Sequence, residues 1–138
     1  MNTKKFILAL VSVFIFISAF DYFLHAVFMK SAYQQTANLW RPEEAMQAYG
    51  IWLMLGQFIM SLGFVALFTK AFKRGGVIEG AVYGLLIAIF ICGHYLIGYA
   101  VSPYPTSMLI TWVVATSIEL ILAGMIVAFI YKSKSHHT

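Results

Sequence analysis

The chain has 138 residues, of which 62% are hydrophobic and only 10% are charged. Soluble domains carry roughly 25% charged residues, so this composition excludes an ordinary soluble domain and predicts a membrane protein. The net charge of +4 does not indicate nucleic-acid binding, because the basic residues stand at the ends of apolar segments. A chain of this length is expected to form a single domain over residues 1–138.

Four apolar segments are long enough to cross a bilayer as helices, which takes about 20 residues each. Backbone groups in lipid must find hydrogen-bond partners within their own segment, so each segment is predicted to be α-helical. The predicted spans are residues 6–29, 51–68, 77–101 and 108–131. The short connections "TKAFKRGG" and "SPYPTS" predict antiparallel packing of neighbouring helices, and hence an all-α, up-down-up-down four-helix bundle.

The distribution of basic residues predicts how the bundle is oriented. One side of the predicted spans holds Lys4, Lys5, Lys70, Lys73, Arg74, Lys132 and Lys134. The other side holds only Lys30 and Arg41. By the positive-inside rule both termini are cytoplasmic, and the two remaining connections lie outside. The sequence therefore predicts a multi-pass membrane protein with the lipid bilayer as its surroundings. In a bacterium its membrane would be the inner membrane, and the outer side would be the periplasm.

The longest connection, "KSAYQQTANLWRPEEAMQAYG", is predicted to lie on the outer side. Pro42 followed by Glu43 and Glu44 indicates the start of a short helix. Proline suits the first position of a helix, and acidic side chains suit its positive end. Aromatic residues in this segment favour the membrane interface, so we expect a short interfacial helix there. An ordered polar loop is the alternative.

Five polar side chains other than Ser and Thr interrupt the apolar spans. They are Asp21, His25, Gln57, His94 and Glu119. At about 1.5 Å per residue they lie roughly 6 to 17 Å below the outer boundary, so every helix brings polar groups to the outer half. Ionisable residues are costly in lipid and usually face a bundle interior. The sequence therefore predicts a polar site there; a purely structural role for all five residues is the alternative.

Two histidines and two carboxylates form a ligand set for a first-row transition metal such as Zn or Fe. We predict a mononuclear site of Asp21, His25, His94 and Glu119, supported by Gln57. Haem b ligated by His25 and His94 is a second possibility, because the two residues lie at similar depth on different helices. Proton exchange with the outer aqueous phase is a third, and a site without any cofactor is a fourth.

Sequence motifs for nucleophilic catalysis, nucleotide binding and redox-active cysteine pairs are absent from the chain. The leading hypothesis is therefore a small binding protein or an accessory subunit of a larger membrane complex. A metal-dependent enzyme acting on a lipid-soluble substrate is the alternative. Gly80 and Gly84 form a GxxxG pattern, which lets helices approach closely either in a homo-oligomer or inside one bundle.

Four features of the chain together resemble the small four-helix bacterial inner-membrane proteins of unknown function. They are "DYFLH" at the end of the first span, "LWRPEEAM" in the outer connection, "EGAVYG" at the start of the third span, and a proline turn before a Trp-bearing last span. The resemblance extends over the whole chain and implies the same fold. It implies no activity, because those proteins have no established one.

Overall fold

The structure is a computed structural model, and it describes residues 2–72 and 76–131. In these residues it is helical apart from short connections and contains no β-strand. The elements in chain order are α1 (Thr3–Asp21), a π-helical segment (Tyr22–Phe28), α2 (Lys30–Gln35), a 3-10 turn (Ala37–Leu39), α3 (Glu43–Ala48), α4 (Gly50–Ala71), α5 (Val77–Val101) and α6 (Thr106–Tyr131).

Four helices are long and apolar enough to cross a membrane: Thr3–Phe28, Gly50–Ala71, Val77–Val101 and Thr106–Tyr131. Within the described residues, the prediction of an all-α protein with four helices able to span a membrane is confirmed. The predicted second span ended at Phe68, whereas α4 continues through Thr69 and Lys70 to Ala71. A lysine in the last turn interacts favourably with the negative end of the helix dipole, so the helix extends beyond the apolar run.

The connection between α1 and α4 contains two short helices. The predicted helix is present as α3, with Pro42 immediately before it and Glu43 and Glu44 in its first turn. No sequence signal pointed to α2. It ends at Thr36, whose hydroxyl donates to the carbonyl oxygen of Ala32 at 2.8 Å. A threonine that bonds to a backbone carbonyl in this way competes with further helix growth. We call the end of the spanning helices that carries residues 29–49 the connection end.

The first spanning helix changes from α to π geometry between Tyr22 and Phe28. The Met29 N–H donates to the carbonyl oxygen of Leu24 at 2.8 Å, a bond five residues back along the chain. Segments of π-helix are rare and are found frequently at functional sites. This one starts directly after Asp21 and contains His25, so it coincides with the two polar residues of the first span.

Helices α5 and α6 make the most extensive contact in the fold, and glycine makes it possible. A Cβ atom on Gly80 would lie 2.6 Å from Ala128 Cβ, and one on Gly84 would lie 2.7 Å from Ile121 Cα. From the other helix, a Cβ on Gly124 would lie 2.9 Å from the carbonyl carbon of Gly80. The GxxxG pattern is thus used inside the chain, for close antiparallel contact between two helices.

The helix α1 packs against both α4 and α6, whereas α4 and α5 scarcely contact each other. The short connection between α4 and α5 led us to expect close packing of this pair. The glycine face of α5 is taken up by α6, so larger side chains are left opposite α4. Tyr83 bridges the space: its hydroxyl donates to the carbonyl oxygen of Phe64 at 2.5 Å, and its ring contacts Phe64 and Phe68.

The buried apolar residues form two clusters. The first lies mainly away from the connection end and joins all four spanning helices; it includes Val13, Val65, Phe68, Tyr83 and Val127. The second lies at the connection end and consists of Leu24, Met29, Tyr104, Met108, Leu109 and Trp112. The polar residues of the spans lie between these two clusters.

Replacing Gly84 by alanine should destabilise the fold, because the added methyl group has no room against α6. Overpacking of this kind costs about 1–3 kcal/mol, so the free energy of unfolding in detergent should fall by that amount. A matched control is Gly93→Ala on the same helix, where a Cβ would meet nothing within 4 Å. Equal stability of the two variants would contradict the close α5–α6 contact.

Candidate functional site

The polar residues of α1 and α4 form one hydrogen-bonded chain. Gln57 Nε2 donates to Asp21 Oδ2 at 2.8 Å, and Ser18 Oγ donates to Gln57 Oε1 at 3.1 Å. Ser18 and Asp21 are three residues apart and so share one face of α1. Both ends of the Gln57 amide are therefore used, and Gln57 joins α4 to α1 inside the apolar region.

His25 continues this chain towards the connection end. Its Nε2 lies 3.8 Å from Asp21 Oδ1, and its Nδ1 lies 2.6 Å from the Tyr33 hydroxyl of α2. The same hydroxyl accepts a bond of 3.3 Å from Trp112 Nε1, an atom that can only donate. Tyr33 is then free to donate its own proton to His25 Nδ1. A neutral His25 in this arrangement carries its proton on Nε2, facing Asp21.

Aromatic rings cover the site at the connection end. The aromatic cluster consists of Tyr33, Trp40, Tyr95, Tyr104 and Trp112, drawn from α2, α5, α6 and the connections. The ring centre of Trp112 lies 4.8 Å from that of Tyr104, 5.9 Å from Tyr95 and 6.2 Å from Trp40. Burial raises the pKa of the Tyr33 hydroxyl, so this group stays protonated at neutral pH and remains available as a donor.

Glu119 is the most buried ionisable side chain in the site. It is only 6% exposed, and its Oε1 has no hydrogen-bond partner among the residues that the structure describes. Asp21 lies within electrostatic range of Glu119, and both residues lie within that range of Tyr95. The Tyr95 hydroxyl is hydrogen-bonded to Thr116 Oγ1 at 3.2 Å. Two acidic residues therefore lie in the same part of the fold, and Glu119 Oε1 is an acceptor left unsatisfied by the described residues.

Asp21, His25, Gln57 and Glu119 are brought into one region, and His94 is not. The His94 side chain is exposed on α5, and the structure gives it no hydrogen bond. Its neighbour Tyr95 faces inwards instead, because successive residues are rotated by about 100° around a helix. Depth along the helix axis does not say which face a residue occupies.

The predicted metal site of Asp21, His25, His94 and Glu119 does not assemble. Within residues 2–72 and 76–131, no three His, Cys, Asp or Glu side chains form a group that could hold a metal ion. Both ring nitrogens of His25 are already directed at protein atoms, one at Tyr33 and one at Asp21. Ligation of haem b would require His25 to give up one of these contacts. The structure therefore gives the metal and haem predictions no support, and they stay predictions.

Two residues of the site, Tyr33 and Tyr95, were missed by reasoning from the sequence. That reasoning sought ionisable groups inside the spans, whereas Tyr33 lies outside them and tyrosine hydroxyls were counted with the aromatic residues. A signal for Tyr95 was available: it continues the small-residue stripe of Gly80, Gly84 and Ala88 at helical spacing, and that stripe faces α6.

Comparisons with protein-family models, with curated proteins and with solved structures give no match for this chain. The resemblance to small four-helix inner-membrane proteins therefore stays a prediction. The function has to be argued from the site itself, because a four-helix arrangement by itself implies no activity.

Replacing Tyr33 by phenylalanine should destabilise the protein, because it leaves both Trp112 Nε1 and His25 Nδ1 without their partner. Leaving a buried polar group unpaired costs about 1–3 kcal/mol, which equilibrium unfolding in detergent would measure. The control is Tyr22→Phe in the π-helical segment, whose tyrosine is 70% exposed. If the two variants have the same free energy of unfolding, the Tyr33 hydroxyl does not stabilise the packing of the connection against the site.

Proposed function

We propose that this protein is a small multi-pass binding protein or accessory subunit of the bacterial inner membrane. Its binding site is the polar region formed by Asp21, Gln57 and Glu119 beneath the aromatic cluster. One observation carries the proposal: Glu119 is only 6% exposed, and its buried Oε1 has no partner among the described residues.

A structural role alone explains Gln57 better than it explains Glu119. Polar side chains stabilise membrane helices when they bond across a helix interface, and Gln57 does so through both ends of its amide. Glu119 Oε1 has no hydrogen-bond partner among the described residues, and an unpaired buried polar group costs about 1–3 kcal/mol. Departures from good local packing are expected at functional sites, so a ligand that donates to Glu119 is the better explanation.

The proposed orientation puts both termini in the cytoplasm and the polar region in the outer half of an up-down-up-down bundle. Its support is the bias of basic residues towards one side of the spans. Lys4, Lys5 and Lys70 lie on the proposed cytoplasmic side within the described residues. Lys73, Arg74, Lys132 and Lys134 are outside the described residues, and their contribution comes from the sequence. The aromatic cluster would then separate the site from the periplasm.

Native mass spectrometry of protein extracted in mild detergent tests the proposal. Wild-type protein should retain a bound small molecule that Glu119→Gln loses. Glu79→Gln is the matched control, because Glu79 lies at the start of α5, away from the site, and glutamine can replace glutamate in its capping role. Identical spectra for wild type and Glu119→Gln would argue against a binding site at Glu119.

Stability measurements separate a binding role from a structural one. Glu119→Leu should raise the free energy of unfolding by about 1–3 kcal/mol, because it removes a buried acceptor without a partner. Gln57→Leu should lower it by about 1–2 kcal/mol, because it breaks two bonds between helices. Equilibrium unfolding of both variants provides the comparison. A loss of stability in Glu119→Leu as large as in Gln57→Leu would mean that Glu119 is structural.

A further inference from the structure

An apolar groove opens to the membrane between α4 and α5, where these helices make few contacts. Its volume is about 210 Å³, and its deepest residues are Ile17 of α1 and Leu120 of α6, each only 2% exposed. Along α4 the lining runs from Ile59 to Leu67, which is roughly 12 Å of helix. The groove is therefore long and narrow, a shape that suits one alkyl chain.

The groove residues lie close along the chain to residues of the polar site. Four of its lining residues stand within four positions of a site residue on the same helix: Ile17 with Asp21, Met60 with Gln57, Ile91 with Tyr95, and Leu120 with Glu119. In every pair the groove residue lies farther from the connection end. One helical turn rises about 5.4 Å, so a molecule with its apolar part in the groove would have its polar end at the depth of the carboxyl groups.

The charge of the site selects the polar end of such a molecule. Asp21 and Glu119 supply two acidic groups, and the lysines of the spanning helices (Lys4, Lys5 and Lys70) lie at the opposite end from the connection. His25 offers one proton, and it faces Asp21. Tyr33 of the aromatic cluster contacts His25, one helical turn from Asp21, and aromatic faces attract cations. A cationic group therefore complements the site, whereas an anionic one would be repelled.

The unpartnered acceptor atom, Glu119 Oε1, limits further which head groups suit the site. Glu119 Oε1 is satisfied only by a group that carries an N–H or O–H bond. A protonated amine supplies both the positive charge and the donor, whereas a quaternary ammonium group supplies only the charge.

We infer that the site binds an amphiphilic amine, with its protonated nitrogen between Asp21 and Glu119 and its alkyl chain in the groove between α4 and α5. This inference rests on the proposed binding function and names the class of ligand. It assigns recognition of the ligand's alkyl chain to the groove residues and recognition of its head group to Glu119.

Binding of radiolabelled dodecylamine to the full-length protein in nanodiscs of zwitterionic lipid tests the inference, with empty nanodiscs subtracted. We expect saturable binding that weakens about tenfold or more in Glu119→Gln. Gly63→Leu should have a similar effect, because Gly63 lines the groove and a Cβ there meets nothing within 4 Å, so the side chain fills the groove without a clash. Glu79→Gln and Gly93→Leu are the controls and should stay within about twofold of wild type.

Three competing ligands give results that would overturn the inference. Equal binding of dodecanol would remove the need for charge, and equal binding of dodecyltrimethylammonium would remove the need for an N–H donor. The third result is that butylamine binds as tightly as dodecylamine, with an affinity that Glu119→Gln lowers and Gly63→Leu does not. That result would exclude a role of the groove in binding and would leave the proposed binding function intact. Both proposals would be overturned by two results together. Dodecylamine would bind Glu119→Gln as tightly as wild type, and the native mass spectra of that variant and wild type would be identical.

Discussion

The close contact between α5 and α6 is the constraint on which the rest of the structure depends. Lipid gives apolar side chains no reason to prefer each other, so helices in a membrane associate where small residues allow close packing. Gly80, Gly84 and Gly124 provide that packing and thereby fix the rotation of α5. The same rotation turns Tyr95 towards Thr116 of α6, leaves His94 exposed, and directs bulky side chains towards α4, so that a groove remains between α4 and α5.

The polar residues link the membrane-embedded helices to the connection at one end. The chain of contacts runs from Gln57 through Asp21 and His25 to Tyr33, which lies on α2. The π-helical geometry between Tyr22 and Phe28 occurs where this chain leaves the apolar region. The conformation of the connection and the integrity of the site are thus coupled, since Tyr33 belongs to both and also accepts the Trp112 bond.

Much of the fold follows from composition, because apolar length and the need for internal backbone hydrogen bonds leave few alternatives to spanning helices. The depths of Asp21, Gln57 and Glu119 also follow from counting residues. The exposed position of His94 does not, because it depends on a helix rotation that a tertiary contact decides. The π-helix and the wide α4–α5 spacing escaped prediction for a similar reason: each results from packing, and the apolar pattern is the same with or without them.

The space between α4 and α5 opens sideways, into the hydrocarbon of the bilayer. Molecules in the groove therefore exchange with the membrane interior and need not pass through the aromatic cluster to reach it. Occupancy of such a groove is governed by the concentration of a molecule in the bilayer, which partitioning raises far above its concentration in water for any amphiphile. A weak intrinsic affinity then suffices for high occupancy, and the composition of the surrounding lipid becomes a direct variable in binding.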